Sequence, residues 1–182
     1  MKSPVALLPC ALLALAMHAG AAWAFAEEDR DWGLEPTREL RQAPYSAPTP
    51  LQLPGAQTIG TGELRQLLNE SPDVMLVDVA GGNEDHLSLK GALWMPNAGR
   101  GLHYFDPVQA DTATRLATLT GGDKSRPIVF FCVDVLCWLS YNAGLRAVAL
   151  GYRSVYWYRG GFLAWREAGL PIENLRPAAE LR

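Results

Sequence analysis

Cysteine and histidine are scarce in this 182-residue chain, with three of each. Cys10 and His18 fall within the first 24 residues, which leaves Cys132, Cys137, His86 and His103. No second Cys or His pair matches the two cysteines at zinc-site spacing, so a structural zinc is excluded and no metal is expected. Basic excess is also missing. With 16 Lys and Arg against 19 Asp and Glu, the net charge is −3, which argues against a nucleic-acid partner or an anionic membrane surface. The one long apolar run, Val5 to Ala16, is shorter than the roughly 20 residues of a spanning helix. No membrane anchor is therefore expected in the mature chain. Internal repeats are absent.

That N-terminal run has a different use. Lys2 precedes it, Ala22-Trp23-Ala24 is a small-x-small cleavage site, and acidic Glu27-Glu28-Asp29 follows. Residues 1–24 read as a signal peptide, and the chain as exported. Residues 25–55 carry Pro36, Pro44, Pro48, Pro50 and Pro54 without helical or alternating periodicity. They read as an extended, proline-rich arm, for which Tyr45, Leu51 and Leu53 are candidate pins.

Beyond the arm the pattern alternates. Thr61 caps an expected helix over 62–69, and Val74 to Val79 is a continuous apolar run suited to a strand covered on both faces. Gly91 to Pro96 is a second strand candidate. Asp106-Pro107 is an N-cap and first-turn pair for a helix reaching about Leu119. Ile128 to Phe131 reads as a buried strand that ends at Cys132, and a helix pattern from Leu139 to Leu150 follows. Ser154 to Tyr158 is a last strand, and Phe162 to Glu167 a last short helix. This alternation predicts an α/β domain over 56–172, a mostly parallel sheet flanked by helices, with 173–182 as a tail.

The strand-to-helix passage at Cys132 carries the chemistry. In a parallel sheet such a loop lies at the carboxyl ends of the strands, where ligands bind. Loop amides and a helix N-terminus near a thiol favour its thiolate. In an exported chain Cys132 and Cys137 are expected to form a disulfide for at least part of the time. The loop between them, Val133, Asp134, Val135 and Leu136, followed by Trp138, holds a carboxylate and no basic residue. Within about 6 Å, that carboxylate would oppose an anionic sulfur donor by roughly 1–3 kcal/mol at an effective dielectric near 20. Arg100 and Arg159 follow other strands and are candidates for a positive rim on the same edge. Asp78, at the end of its own strand, is a rim candidate whose plainer role is a hydrogen-bond acceptor. His86 and His103 fall in loop-like sequence and read as surface groups. Trp138, Tyr156, Trp157 and Tyr158 suit sheet packing, though they could also face a planar cofactor.

Several of these stretches together resemble a rhodanese domain. They are Leu76-Val77-Asp78, Lys90-Gly91-Ala92-Leu93, the strand ending in Cys132, Gly151-Tyr152-x-x-Val155-Tyr156, and Arg159-Gly160-Gly161-Phe162-x-Ala164-Trp165 through Pro171. A narrower likeness rests on Ala47-Pro48-Thr49-Pro50, Gly91 to Pro96, Gly99-Arg100-Gly101, Cys-x(4)-Cys-Trp-x-Ser and Gly151 to Tyr158. These are similar to exported proteins named for a CxxCW-type motif and associated with alcohol catabolism dependent on pyrroloquinoline quinone (PQQ). That group usually separates its cysteines by three residues, where this chain has four. The resemblance implies a three-layer fold, a periplasmic location and an accessory role near quinoprotein dehydrogenases, with no cofactor required and PQQ contact as a lesser option. It implies Cys132 as nucleophile and Cys137, where many rhodaneses place a basic residue, as resolving thiol. The partner would be a small sulfur compound or a protein thiol. Three readings stay open: redox or persulfide chemistry, a static disulfide bracing the loop, and a non-catalytic binding or sensing module.

Overall fold

The computed structural model describes residues 27–176. The expected signal peptide, with Cys10 and the cleavage site, and the end of the tail lie outside the described residues. In chain order the elements are β1 (Gln57–Ile59), α1 (Thr61–Glu70), β2 (Met75–Asp78), β3 (His86–Leu89), β4 (Leu93–Trp94), α2 (Pro107–Thr120), β5 (Ile128–Phe131), α3 (Trp138–Ala149), β6 (Val155–Tyr158), α4 (Gly161–Glu167) and β7 (Ile172–Leu175).

Five strands form one sheet in the order β1-β6-β5-β2-β4, and every pairing in it is parallel. The most apolar run, Ile128-Val129-Phe130-Phe131, is the central strand and all four residues are buried. Alternation along it sends Phe130 and Cys132 to one face and Val129 and Phe131 to the other. On the first face they meet Val77, Val79, Leu116 of α2, and Leu139, Ala143 and Ala147 of α3. On the second they meet Leu76, Leu64 of α1, and Ala164 and Trp165 of α4. The result is three layers, helices on both faces of a parallel sheet. Each fully buried Leu, Val or Phe contributes about 1.5–3 kcal/mol to it.

Local chemistry sets the element ends. Asp106 Oδ1 accepts from the Gln109 amide at 2.9 Å, Pro107 opens the helix, and Gly121 closes it in the left-handed region. α1 differs from expectation: Gly60 is the N-cap and Thr61 the first helical residue, because the Thr61 hydroxyl is engaged by Glu28 and Tyr158. The strand expected over 91–96 contracts to two residues, since only Leu93 and Trp94 align with β2. His86 is not in a loop. It begins β3, which pairs antiparallel with β7 as a separate two-stranded ribbon. That ribbon takes in residues 173–175.

The proline-rich segment is a strap held along its length. Thr37 exchanges hydrogen bonds with the Tyr141 hydroxyl, and Arg41 does so with the Asn142 side chain. Leu53 is buried against Trp138, Tyr141, Leu145 and Trp157, with Tyr45 packed at the edge of the same cluster. Of the candidate pins, Tyr45 and Leu53 are in this cluster, and Leu51 is half-buried.

Candidate functional site: a cysteine pair under a strap

Cys132 is the first residue beyond the central strand and is only 2% exposed. Cys137 is the N-cap of α3 and half-buried. Their sulfurs are joined in a disulfide with the Cα atoms 6.1 Å apart, within the span a disulfide requires. α4 holds the loop from one side. The amides of Phe162 and Leu163, in its first turn, donate to the carbonyls of Cys132 and Val133, both at 2.9 Å. Gly161 permits this approach. It sits at φ +63°, and a Cβ there would lie 2.5 Å from the Cys132 carbonyl oxygen, so no other residue fits without moving the loop.

The strap holds the loop from the other side. The Ala47 amide donates to the Leu136 carbonyl at 2.8 Å, and the Trp138 amide to the Tyr45 carbonyl at 2.9 Å. These two bonds flank an antiparallel bridge between Ser46 and Cys137. Trp138 Nε1 donates to the Pro48 carbonyl, and Thr49 Oγ1 to the Val135 carbonyl at 2.6 Å. Asp134 organises the loop from within: its Oδ1 accepts from the Leu136 amide and its carbonyl from the Cys137 amide. The amides of Leu136, Cys137 and Trp138 therefore all have partners inside the protein. A cleft of about 320 Å³ opens here, lined by Tyr45, Ser46, Val133, Asp134, Leu136, Cys137 and Leu139. Cys132 is not among its walls.

The remaining residues singled out from sequence are not all brought to this cleft. Arg100 is exposed, with its guanidinium 5.8 Å from the Tyr45 ring centre. Its backbone is fixed by Arg146 Nη2, which donates to the Arg100 carbonyl and to Asp106 Oδ2. Arg159 takes another role from the rim expected of it. It is 2% exposed, and it donates to the carbonyls of Glu28, Arg30 and Thr49 and to Thr49 Oγ1. Burial pulls its pKa down, opposed by Asp29 and Asp31, and it ties the start of the strap to the sheet edge. Asp78 points to the face opposite Cys132. It accepts from the Ala80 amide, Ser88 Oγ and, at 3.0 Å, His86 Nε2, so both its oxygens serve the β2–β3 connection. His103 is exposed.

Nor do the aromatic candidates form one platform. Trp138 and Trp157 pack with Tyr141 beneath the strap. Tyr158 lies on the opposite face with Phe131 and Trp165, and burial pushes its phenol pKa up, so it stays neutral. Tyr156 lines a separate cleft beside α1. Among the described residues no group of three or more His, Cys, Asp or Glu is placed to hold a metal ion, and no helix is long and apolar enough to cross a membrane.

Sequence reasoning missed Glu28, Ser46, Thr49 and Arg146. Arg146 did leave a signal, since a charged residue inside the apolar pattern of α3 must be paired if buried. Ser46 and Thr49 left none, because they act through backbone geometry and a single hydroxyl.

A family model for the rhodanese-like domain matches residues 61–168. Among solved structures, the chain is similar to a full-length protein from Lactobacillus plantarum, with 22% identity over 65% of this chain and 88% of that one and a TM-score of 0.49. It is also similar to a rhodanese-like domain from Anabaena sp., with 22% identity over 69% and 84% of the two chains and a TM-score of 0.47. A third is a polysulfide-sulfur transferase homodimer from Wolinella succinogenes, with 20% identity over 70% and 84% and a TM-score of 0.46. No curated protein matches the chain.

Proposed function

Because the chain belongs to the rhodanese-like domain family, we propose that it is an exported thiol protein of that family whose Cys132–Cys137 pair carries out thiol–disulfide exchange. The observation that carries this reading is the disulfide itself, with its Cys137 end set in the wall of an open cleft. Two features support exchange over sulfur transfer from an anionic donor. A persulfide on Cys132 would draw on loop amides to hold its terminal sulfur, and three of them, those of Leu136, Cys137 and Trp138, are engaged. The Asp134 carboxylate also lines the cleft and repels an anion.

Location and context rest on the sequence. The signal-peptide pattern and the motifs shared with the CxxCW-type group support a periplasmic protein accessory to PQQ-dependent alcohol oxidation. A protein thiol, or a small sulfur compound, would be its partner. A static brace is the competing reading, favoured by the strap's four hydrogen bonds to residues 135–138. Equilibration in glutathione buffers of graded potential, together with a thiosulfate–cyanide assay, separates these readings. Exchange predicts a reversible two-electron transition in the folded protein and no thiosulfate turnover. A sulfurtransferase would turn over thiosulfate, and a brace would stay oxidised until the protein unfolds.

A further inference from the structure

The cleft at the disulfide has walls of one kind. Of its seven lining residues, Tyr45, Val133, Leu136 and Leu139 are apolar, Ser46 and Cys137 are uncharged, and Asp134 is the one charged side chain. Cys132 is buried and is not among them. Asp134 and Cys137 are the two ends of one turn, closed by the Cys137 amide donating to the Asp134 carbonyl at 3.2 Å. Such a turn holds its end Cα atoms within about 7 Å of each other. The Asp134 carboxylate is fixed in place, because its Oδ1 accepts from the Leu136 amide at 2.9 Å. Its second oxygen makes no hydrogen bond among the described residues, and the side chain is half-exposed. Val133, 42% exposed, and half-buried Leu136 add apolar surface from the same loop. Arg100 lies outside the lining, with its guanidinium over the Tyr45 ring.

We infer that the cleft selects a polypeptide cysteine with a Lys or Arg two positions away, and that Asp134 is the specificity-determining residue. In an extended segment, residues two apart share a face and stand about 6.6–7 Å from each other. That spacing matches the two ends of the turn. The partner cysteine meets the Cys137 sulfur, the methylene stem of the basic residue lies on Val133 and Leu136, and its charged head meets the second Asp134 oxygen. A small aminothiol has the charge but no stem to use those apolar walls. The inference rests on the exchange reading above.

In the exchange, the partner thiolate attacks the Cys137 sulfur. A partner–Cys137 disulfide forms, the Cys137–Cys132 bond breaks, and Cys132 leaves as a thiolate that takes a proton. A second partner thiolate then attacks the partner sulfur of the mixed disulfide and releases Cys137. Two partner thiols are oxidised to a disulfide, and the cysteine pair gains the two electrons as two thiols.

The test measures reduction of the oxidised protein by peptides of the form X-Ala-Cys-Ala-X, blocked at both ends, with X as Lys, norleucine, Ala or Glu. Dividing each rate by that peptide's rate with hydroxyethyl disulfide removes differences in thiolate content and nucleophilicity. The Lys peptide should react about fourfold faster than the norleucine peptide, the worth of a half-exposed ion pair. Norleucine should exceed Ala about threefold, through partial burial of its stem, and Glu should be slowest. Asp134→Asn keeps an acceptor for the Leu136 amide and should bring the Lys and norleucine peptides within about twofold of each other. Should that variant misfold, the wild type still decides: raising salt from about 10 mM to about 0.5 M should shrink the same ratio. A Lys peptide no faster than the norleucine peptide, or a ratio that ignores both salt and Asp134→Asn, overturns the assignment. A Glu peptide that reacts fastest also overturns it and gives the local field to Arg100. If norleucine does not exceed Ala, while cysteamine gains over mercaptoethanol as much as Lys over norleucine, the ligand is a small aminothiol and the polypeptide partner is overturned. If no thiol reduces the disulfide faster than the protein unfolds, the exchange reading itself fails.

Discussion

Replacing Arg159 with Met tests whether that residue is an anchor or part of a substrate rim. The guanidinium makes four hydrogen bonds, all to strap atoms: the carbonyls of Glu28, Arg30 and Thr49, and Thr49 Oγ1. Glu28 and Thr49 are buried residues, so each bond lost to them costs about 1–3 kcal/mol. Part of that is returned, because a buried cation no longer has to be desolvated. Met keeps the apolar stem, and the net loss should be about 3 kcal/mol. At roughly 2–4 °C per kcal/mol for a chain of this size, Tm falls by about 6–12 °C. Limited proteolysis should cut the strap first, near Arg30 or Arg38. The rate of exchange with glutathione should change little, since Arg159 does not line the Cys137 cleft. A Tm within about 2 °C of wild type, combined with a large loss of exchange, would refute the anchor and restore Arg159 to the rim.

Other outcomes follow from the same geometry. Burial alone would raise the Asp106 pKa, but the Arg146 side chain and the amides of Gln109, Leu102 and His103 hold it well below its ordinary 3.8. Its contribution is therefore complete above that value and is lost as pH falls below it. Asp106→Asn should cost about 3 kcal/mol at neutral pH by leaving Arg146 buried without its counter-charge. Urea unfolding at several pH values should show that difference shrinking below about pH 4. Gly161→Ala should destabilise by on the order of 3 kcal/mol, because the added Cβ meets the Cys132 carbonyl and the backbone is left-handed. Crystals of that variant, or amide exchange at Phe162 and Leu163, should show the loop displaced. Reducing the disulfide should lower stability by about 2 kcal/mol in the chain-entropy model, and chemical denaturation with and without reductant measures it.

The parts of this account legible in the sequence were those set by local physics. The apolar run ending at Cys132, the Asp106-Pro107 start and the Gly121 stop each determine structure over a few residues, and the sheet and α2 follow them. The short pair His86–Leu89 and Ile172–Leu175 was not legible. Neither segment is periodic enough to announce a strand, and each is one only because the other lies beside it. The strap shows a sharper limit. Its prolines argued for an extended chain, and its position over the loop depends on backbone bonds from Tyr45, Ala47 and Pro48 that composition does not encode. For the same reason Arg159 read as a surface cation. Its neighbours Glu28, Arg30 and Thr49 are more than a hundred residues away in sequence. The proximity of Cys132 and Cys137 was visible from strand and helix boundaries alone; which of the two faces the cleft was not.

The central claim is that the disulfide reacts while the protein is folded. The rate of its reduction under native conditions, measured against dithiothreitol concentration and compared with the unfolding rate, tests this most directly. The account predicts a rate proportional to reductant and faster than global unfolding, because attack occurs at Cys137 in the open cleft. A rate that levels off at the unfolding rate, whatever the reductant concentration, would mean that the disulfide is sealed in the native state and serves only as a brace.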